Sequence, residues 1–315
     1  MKIALMESLG ISDDSLKARM APFEAEGHTF SIFNKTTDVA ELIEEAKDAD
    51  AMILANMPMP AAVIEACPNL KFIDVAFTGV DHVGLDAAKA RGIRVSNASG
   101  YSTEAVPELA VGMALSLLRN MREVEVRCRA GETKAGLVGS ELKGKTVGII
   151  GLGKIGMRSA QIFHIFGTTI LATSRTVHKN VKDYVTQVPL DDLLKNSDIV
   201  VLHCPLTAET RGMINKEKLA LMKPSAILLN LARGPVVVSA DLAEALKTGT
   251  IAAAGIDVFD VEPPLPADEP LFDAPNTLLT PHVAFATKES MDLRADIVFE
   301  NLRAFLDGHQ TNVIL

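Results

Sequence analysis

Apolar runs of strand length alternate with longer amphipathic stretches along the whole chain. Lys2 to Met6, Thr29 to Phe33, Ala51 to Leu54, Phe72 to Val75 and Ile93 to Ser96 read as a first series of strands. Helical periodicity at Asp13 to Glu26, Val39 to Lys47 and Pro60 to Ala66 falls between them. A second series follows Lys145, with strands at Thr146 to Ile150, Thr169 to Thr173, Ile199 to His203, Ala226 to Leu229 and Ala253 to Asp257. Its helices are placed at Lys154 to Phe166, Leu190 to Asn196, Lys216 to Leu221 and Ser239 to Lys247, punctuated by Gly167, Pro205, Pro224 and Gly249. Strands alternating with helices need right-handed crossovers, so the pattern predicts an α/β protein built on covered parallel sheets. Thr103 to Arg129 reads as one long bridging helix that tolerates Pro107 in its first turns. Lys288 to Leu306 is a further long helix with no strand after it, expected to pack back on the first unit.

Length and composition narrow the class without changing this outline. The 315 residues at roughly 150 per domain also give about two domains. No stretch approaches the ~18 uncharged apolar residues of a membrane span, and MKIALMESLG meets Glu7 too early for a signal peptide. With 31 Lys and Arg against 40 Asp and Glu, the net charge of -9 offers no footprint for nucleic acid or an acidic membrane. Apolar residues at 48% and charged ones at 23% exclude disorder. Cys67, Cys128 and Cys204 are odd in number and lack metal-ligand spacing, which points to a reducing, cytoplasmic setting and no structural metal.

The segment KTVGIIGLGKIG sets Gly151, Gly153 and Gly156 directly after a strand and at the start of a helix. That context, more than the glycines alone, is what a dinucleotide fingerprint requires. Gly151 permits the tight turn, Gly153 a close backbone approach to a pyrophosphate, and Gly156 close helix–strand packing. An ordinary strand–helix turn is the plainer alternative. About 20 residues further on, where an acid would bind a ribose 2′-hydroxyl, the chain holds Ser174 and Arg175, followed by Thr176. With no carboxylate to repel a 2′-phosphate and a guanidinium to pair with one, NADP is expected over NAD. A solvated surface arginine is the alternative.

With GLGKIG, HCPLTAETRGMIN, LLNLARGPVV, AGIDVFDVEP and LLTPHVAFAT in order, the chain resembles the D-specific 2-hydroxyacid dehydrogenase family over essentially its whole length. The resemblance implies two Rossmann-like or flavodoxin-like domains with parallel sheets and a cleft between them. Residues 1–99 with 286–315 would form the substrate-binding domain, and residues 100–285 the dinucleotide-binding Rossmann domain. It further implies a homodimer made through the long helix after residue 100, and a small 2-oxo or 2-hydroxy acid as substrate.

The family's catalytic trio falls on Arg233, Glu262 and His282. Imidazole titrates near working pH, so His282 suits donation of the proton to a carbonyl oxygen. Glu262 would stabilise the imidazolium and orient the ring. Arg233 offers a planar fork for the substrate carboxylate. By the same alignment FTGVD supplies Thr78 and Gly79 to the carboxylate. Asp257 falls at the nicotinamide carboxamide, with Ala232, Arg233 and His282 beside the ring and Thr103 on the same side. Lys154 and Ile155 fall at the pyrophosphate, and Cys204, Pro205 and Thr210 at the adenine and ribose. Cys204 is read as a lining residue, not a nucleophile.

Tyr101 and Phe285 sit where lactate-type members carry substrate-facing aromatics, whereas Ser174 with Arg175 resembles the NADP-using hydroxypyruvate and glyoxylate reductases. Both subfamilies stay open on these residues. A corepressor of the same fold, acting through protein partners, is a third and different class. It carries terminal extensions that this sequence does not show. Glu262 speaks against formate dehydrogenases, which replace that residue.

Overall fold

Short buried strands joined by amphipathic helices build two parallel sheets, one in each of two units. The computed structural model describes residues 1–179, 181–261 and 264–315. The first unit comprises Met1–Ser102 and Ala286–Leu315, the second Thr103–Phe285.

In the first unit, strands β1 (Lys2–Leu5), β2 (Thr29–Ile32), β3 (Ala51–Leu54), β4 (Phe72–Val75) and β5 (Arg94–Asn97) lie in the order β2-β1-β3-β4-β5. Central β3 and β4 are buried throughout, as continuous apolar runs in a covered sheet should be, while edge strand β2 is largely exposed. Helices α1 (Asp13–Ala25), α2 (Val39–Ala46), α3 (Ala61–Ala66) and α4 (Leu85–Ala90) connect these strands. Counting along the chain, the last helix of the protein, α11 (Lys288–Leu306), also belongs to this unit. It starts on a capping box between Thr287 and Ser290. Phe305 stacks on Phe72 at 4.4 Å, and Phe299 meets Phe23 at 5.7 Å. Asn301 donates to Asp74 Oδ1 and to the Asn97 carbonyl, both at 3.0 Å, so a polar link ties the helix to β4 and β5.

The second unit opens with α5 (Ala105–Leu118) and α6 (Met121–Arg129), not with the single helix that periodicity predicts over 103–129. Asn120 has φ 50°, the left-handed conformation that Asn tolerates better than most residues, and the chain bends there. The two halves also differ in environment: α5 buries eight residues and α6 none. Asparagine is a weak sequence punctuator, and the apolar spacing runs on past it.

Strands β6 (Thr146–Ile150), β7 (Thr169–Thr173), β8 (Val185–Gln187), β9 (Ile199–Leu202), β10 (Ile227–Asn230), β11 (Ala253–Ile256) and β12 (Thr277–Leu279) form the second sheet. Its helices are α7 (Lys154–Ile165), α8 (Leu190–Asn196), α9 (Lys216–Leu219) and α10 (Ser239–Lys247). The order is β12-β11-β10-β9-β6-β7-β8. From β6 the chain works outward to β8, returns to the other side of β6 at β9, and then runs out to β12. The order therefore reverses between β6 and β9, and in such sheets ligands bind beyond the carboxyl ends of the strands at that point. β8, β12 and α4 are short elements that apolar spacing alone did not mark. Among the described residues, no helix is long and apolar enough to cross a membrane.

Candidate active site

The turn from β6 into α7 lies at the reversal point. Gly151 has φ +102°, and a Cβ there would stand 2.7 Å from the Cys204 nitrogen and the His203 carbonyl carbon. The turn must therefore be glycine to pass beside the end of β9. Gly156 is equally confined, because its Cβ would meet the Gly151 carbonyl oxygen at 1.9 Å. Gly153, the N-cap of α7, is the opposite case: a Cβ there meets no protein atom within 4 Å. The open space lies at the amino end of a 12-residue helix, where unpaired N–H groups and the positive dipole end attract a phosphate. Exposed Lys154 and half-buried Ile155 follow it. A dinucleotide pyrophosphate fits this turn.

At the end of β7, Ser174 Oγ donates to the Thr176 carbonyl at 2.5 Å, so its proton is engaged inside its own loop. Exposed Arg175 follows it as a cation at this strand end. Arg175 is close enough to Glu209, across in the loop after β9, to help hold that carboxyl below its usual range, although the hydrogen bond from Thr207 contributes more. The same loop closes on itself: Thr210 Oγ1 donates to the Pro205 carbonyl and accepts from the Thr207 N–H. Thr210 therefore shapes the loop with its hydroxyl. Burial pushes the Cys204 thiol up to about 11, which makes it a neutral lining group. His203 bonds Ser159 Oγ through Nε2 at 2.7 Å, and burial lowers its pKa, so it stays a neutral structural ring.

Arg233, Asp257 and His282 follow three adjacent strands, β10, β11 and β12. Half-buried Arg233 leaves the strand through a turn shaped by Asn230, which donates to the Arg233 carbonyl and accepts from the Ala232 N–H. Arg233 Nη1 donates to the Ala232 carbonyl at 2.9 Å. His282 has φ +55°, a strained setting for a non-glycine residue. The loop is held there by Asp257. The Asp257 carbonyl accepts the His282 N–H at 2.7 Å. Its carboxylate accepts Thr280 Oγ1 at 2.6 Å, Val283 N–H at 2.8 Å and Ala284 N–H at 2.9 Å. Asp257 is fully buried, and burial raises its pKa, with the three bonds and nearby His282 pulling it back. Phe285 meets the His282 ring edge-on at 5.4 Å. Glu262, the third member of the expected trio, lies outside the described residues.

In the first unit, Thr78 and Gly79 follow β4, and Asn97 Nδ2 holds the Thr78 carbonyl at 2.7 Å. Tyr101 is buried, 6.0 Å from the Phe77 ring, and bonds Arg294. It is a packed member of that loop cluster rather than an exposed wall. Thr103, at the start of the second unit, is half-buried.

Sequence reasoning did not single out Arg294, Glu7, Asn97, Asn230 or Thr280. Arg294 carried a signal: it lies at helical spacing between Ser290 and Val298 on the buried stripe of α11, where an arginine is out of place. Asn230 and Thr280 lie inside the quoted LLNLARGPVV and LLTPHVAFAT segments, whereas Glu7 and Asn97 stand far from any quoted site motif, and only the fold reveals the bonds that each of them makes. Among the described residues, no group of three or more His, Cys, Asp or Glu is arranged to hold a metal.

Comparison with known proteins gives a consistent picture. The model of the D-isomer specific 2-hydroxyacid dehydrogenase NAD-binding domain matches residues 111–284. Hydroxypyruvate reductase of Blautia hydrogenotrophica is 38% identical over 297 residues, covering 90% of this chain and 91% of the relative. Glyoxylate reductase of Thermofilum pendens is 41% identical over 277 residues, covering 85% and 81%. The crystal structure of D-lactate dehydrogenase from Aquifex aeolicus, complexed with NAD and lactic acid, superposes with a TM-score of 0.87 at 28% identity, over 98% of this chain and 96% of that one.

Proposed function

The chain belongs to the D-isomer specific 2-hydroxyacid dehydrogenase family and is a nicotinamide-dependent oxidoreductase, and we propose that it reduces a small 2-oxo acid to the D-2-hydroxy acid. The observation that carries this reading is the His282 loop, held at positive φ by a buried carboxylate beside the ends of three adjacent strands. A strained histidine kept in place by its surroundings is what proton transfer at a fixed position requires. When bound, the nicotinamide ring supplies the hydride that reaches the carbonyl carbon. His282 gives the proton to the carbonyl oxygen, and Glu262 orients it and stabilises the imidazolium. Arg233 binds the substrate carboxylate with its fork, helped by the backbone at Thr78 and Gly79. Phe285 flanks the substrate, while Tyr101 supports the Phe77 loop from its packed position. Three of the four lone-pair positions on Asp257 serve the loop, which leaves one for a carboxamide N–H. Gly151, Gly153, Lys154, Ile155 and Gly156 receive the pyrophosphate, with Thr103 and Ala232 on the nicotinamide side and Cys204, Pro205 and Thr210 on the adenosine side.

Hydroxypyruvate and glyoxylate are the substrates we favour, because the relatives at 38% and 41% identity carry those names. NADPH is favoured over NADH, because Arg175 stands at a strand end where neither Ser174 nor Thr176 brings a carboxylate. A homodimer through α5 and α6 agrees with the exposure of Met121 (53%), Val126 (60%) and Val138 (79%) on and after a helix that buries nothing. The free cysteines suit a cytoplasmic setting. Initial rates with glyoxylate, hydroxypyruvate and pyruvate, each with NADPH and NADH, test the reading. Glyoxylate or hydroxypyruvate with NADPH should give the highest kcat/KM. Absence of reduction with all three would overturn the function, and faster turnover with NADH would overturn the cofactor preference.

A further inference from the structure

Along the carboxyl edge of the first sheet, the loops after β1, β4 and β5 meet around one side chain of α11, and the loop after β3 joins them through Glu7. Arg294 is 3% exposed. Its Nη2 donates to the Leu9 carbonyl in the loop after β1. Its guanidinium carbon lies 5.8 Å from the Phe77 ring, after β4, and 5.8 Å from the Tyr101 ring, after β5. It bonds Tyr101 and is attracted by Glu7. Glu7 is also buried, and its Oε1 accepts the N–H groups of Ala55 and Met57, after β3, at 2.7 Å each.

Such an arrangement is costly unless every contact is made. A buried guanidinium must replace its lost water with donors aimed at fixed acceptors, and its planar fork accepts few geometries. If the loop after β1, β4 or β5 moved, the charge would lose a partner, and if the loop after β3 moved, Glu7 would lose its own. We propose that Arg294 is a positioning residue, which locks the Phe77 and Tyr101 loops and so fixes the backbone of Thr78 and Gly79 where the substrate carboxylate binds. The substrate part rests on the role proposed above for Thr78 and Gly79; the locking itself does not. Nothing in the reaction needs Arg294 to touch substrate, so its effect should fall on 2-oxo acid binding and leave the dinucleotide, bound by the second unit, unaffected.

Two variants test this. Arg294→Lys keeps a positive charge beside Glu7 but cannot form the fork. Tyr101→Phe removes only the hydroxyl partner. Hydrogen exchange at residues 77–79 and 99–101 reads the locking directly, whatever the substrate. It should rise in both variants, with residues 151–165 unchanged. In steady-state kinetics the KM for the 2-oxo acid should rise roughly tenfold in Arg294→Lys, a change of about 1.4 kcal/mol, with kcat and the KM for cofactor within about twofold. The double variant should be less than additive, since both changes break one bond. Unchanged exchange in a folded Arg294→Lys protein overturns the proposal. So do equal rises in both KM values, which would mark general loosening. Raised exchange with an unaltered 2-oxo acid KM would keep the locking and reject the substrate roles of Thr78 and Gly79.

Discussion

The two sheets end in loops that are organised by different means. In the second unit the edge is shaped largely through main-chain groups: glycines at 151 and 156 let segments pass, and the Asp257 carboxylate gathers the backbone N–H groups of the His282 loop. In the first unit it is shaped by side chains that arrive from far along the chain, Arg294 at the loop edge and Asn301 deeper in the sheet. A main-chain edge tolerates few substitutions but is written in short contiguous motifs. An edge held by distant side chains is written in residues that look unremarkable where they stand.

The largest expected effect comes from breaking the main-chain clamp. Asp257→Ala removes the acceptor of three hydrogen bonds in a fully buried site. Unmade bonds of that kind cost roughly 1–3 kcal/mol each. With its loop released, His282 should leave φ +55°, and kcat should fall roughly 10²–10⁴-fold, as for loss of the proton donor itself. Steady-state kinetics with a melting curve check this. A kcat near wild type in a folded variant would mean that the loop does not depend on Asp257.

The side-chain edge should reveal itself through pH. Asp74 is fully buried, holds one bond from Asn301, and is pushed by burial up to about 8 from an ordinary 3.8. Between those values the folded protein keeps a proton that the unfolded chain has released. Stability is therefore greatest at the acid end of this window, declines as pH rises toward 8, and levels off above it. Asp74→Asn keeps an oxygen for Asn301 and cannot ionise. It should flatten the decline and stabilise the protein at pH 8 by on the order of a few kcal/mol, seen as a Tm several degrees higher. A wild-type Tm that does not fall between pH 5 and 8 would contradict it.

Much of the fold was legible because strand-length apolar runs alternate with amphipathic ones, and the site motifs were legible because glycine, histidine and arginine there obey local rules. The break at Asn120 was not, since apolar spacing continues through it. Nor was the Ser174 bond to Thr176, which only loop geometry decides. The Asp74–Asn301 and Tyr101–Arg294 pairs join residues distant in the chain, and no window of sequence contains both partners.

Gly153 separates protein packing from ligand binding. Its added Cβ would meet no protein atom within 4 Å, unlike that of Gly151 two residues earlier. Gly153→Ala should therefore melt as wild type does while the cofactor KM rises roughly tenfold, about 1.4 kcal/mol. If cofactor KM stayed unchanged, the pyrophosphate would have to lie elsewhere than on this turn.

The smallest effect concerns the pair of charges flanking the end of β7. Exposed Glu209 lies within Coulombic reach of Arg175, so a 2′-phosphate arriving at Arg175 meets a neighbouring carboxylate as well. The two influences oppose each other, and the guanidinium should prevail because it can form charge-assisted bonds whereas Glu209 repels from a distance. Glu209→Gln keeps an oxygen that can still accept from Thr207 and removes the charge. Between exposed groups, screening keeps such effects small, so the KM for NADPH should fall only about two- to five-fold. The KM for NADH, which carries no 2′-phosphate, should not move. Because the origin is Coulombic, the gain should shrink as ionic strength rises from about 0.01 to 0.5 M and the Debye length contracts from roughly 30 Å to a few ångströms. An equal gain for NADH, or one indifferent to salt, would trace the change to loop shape and not to charge.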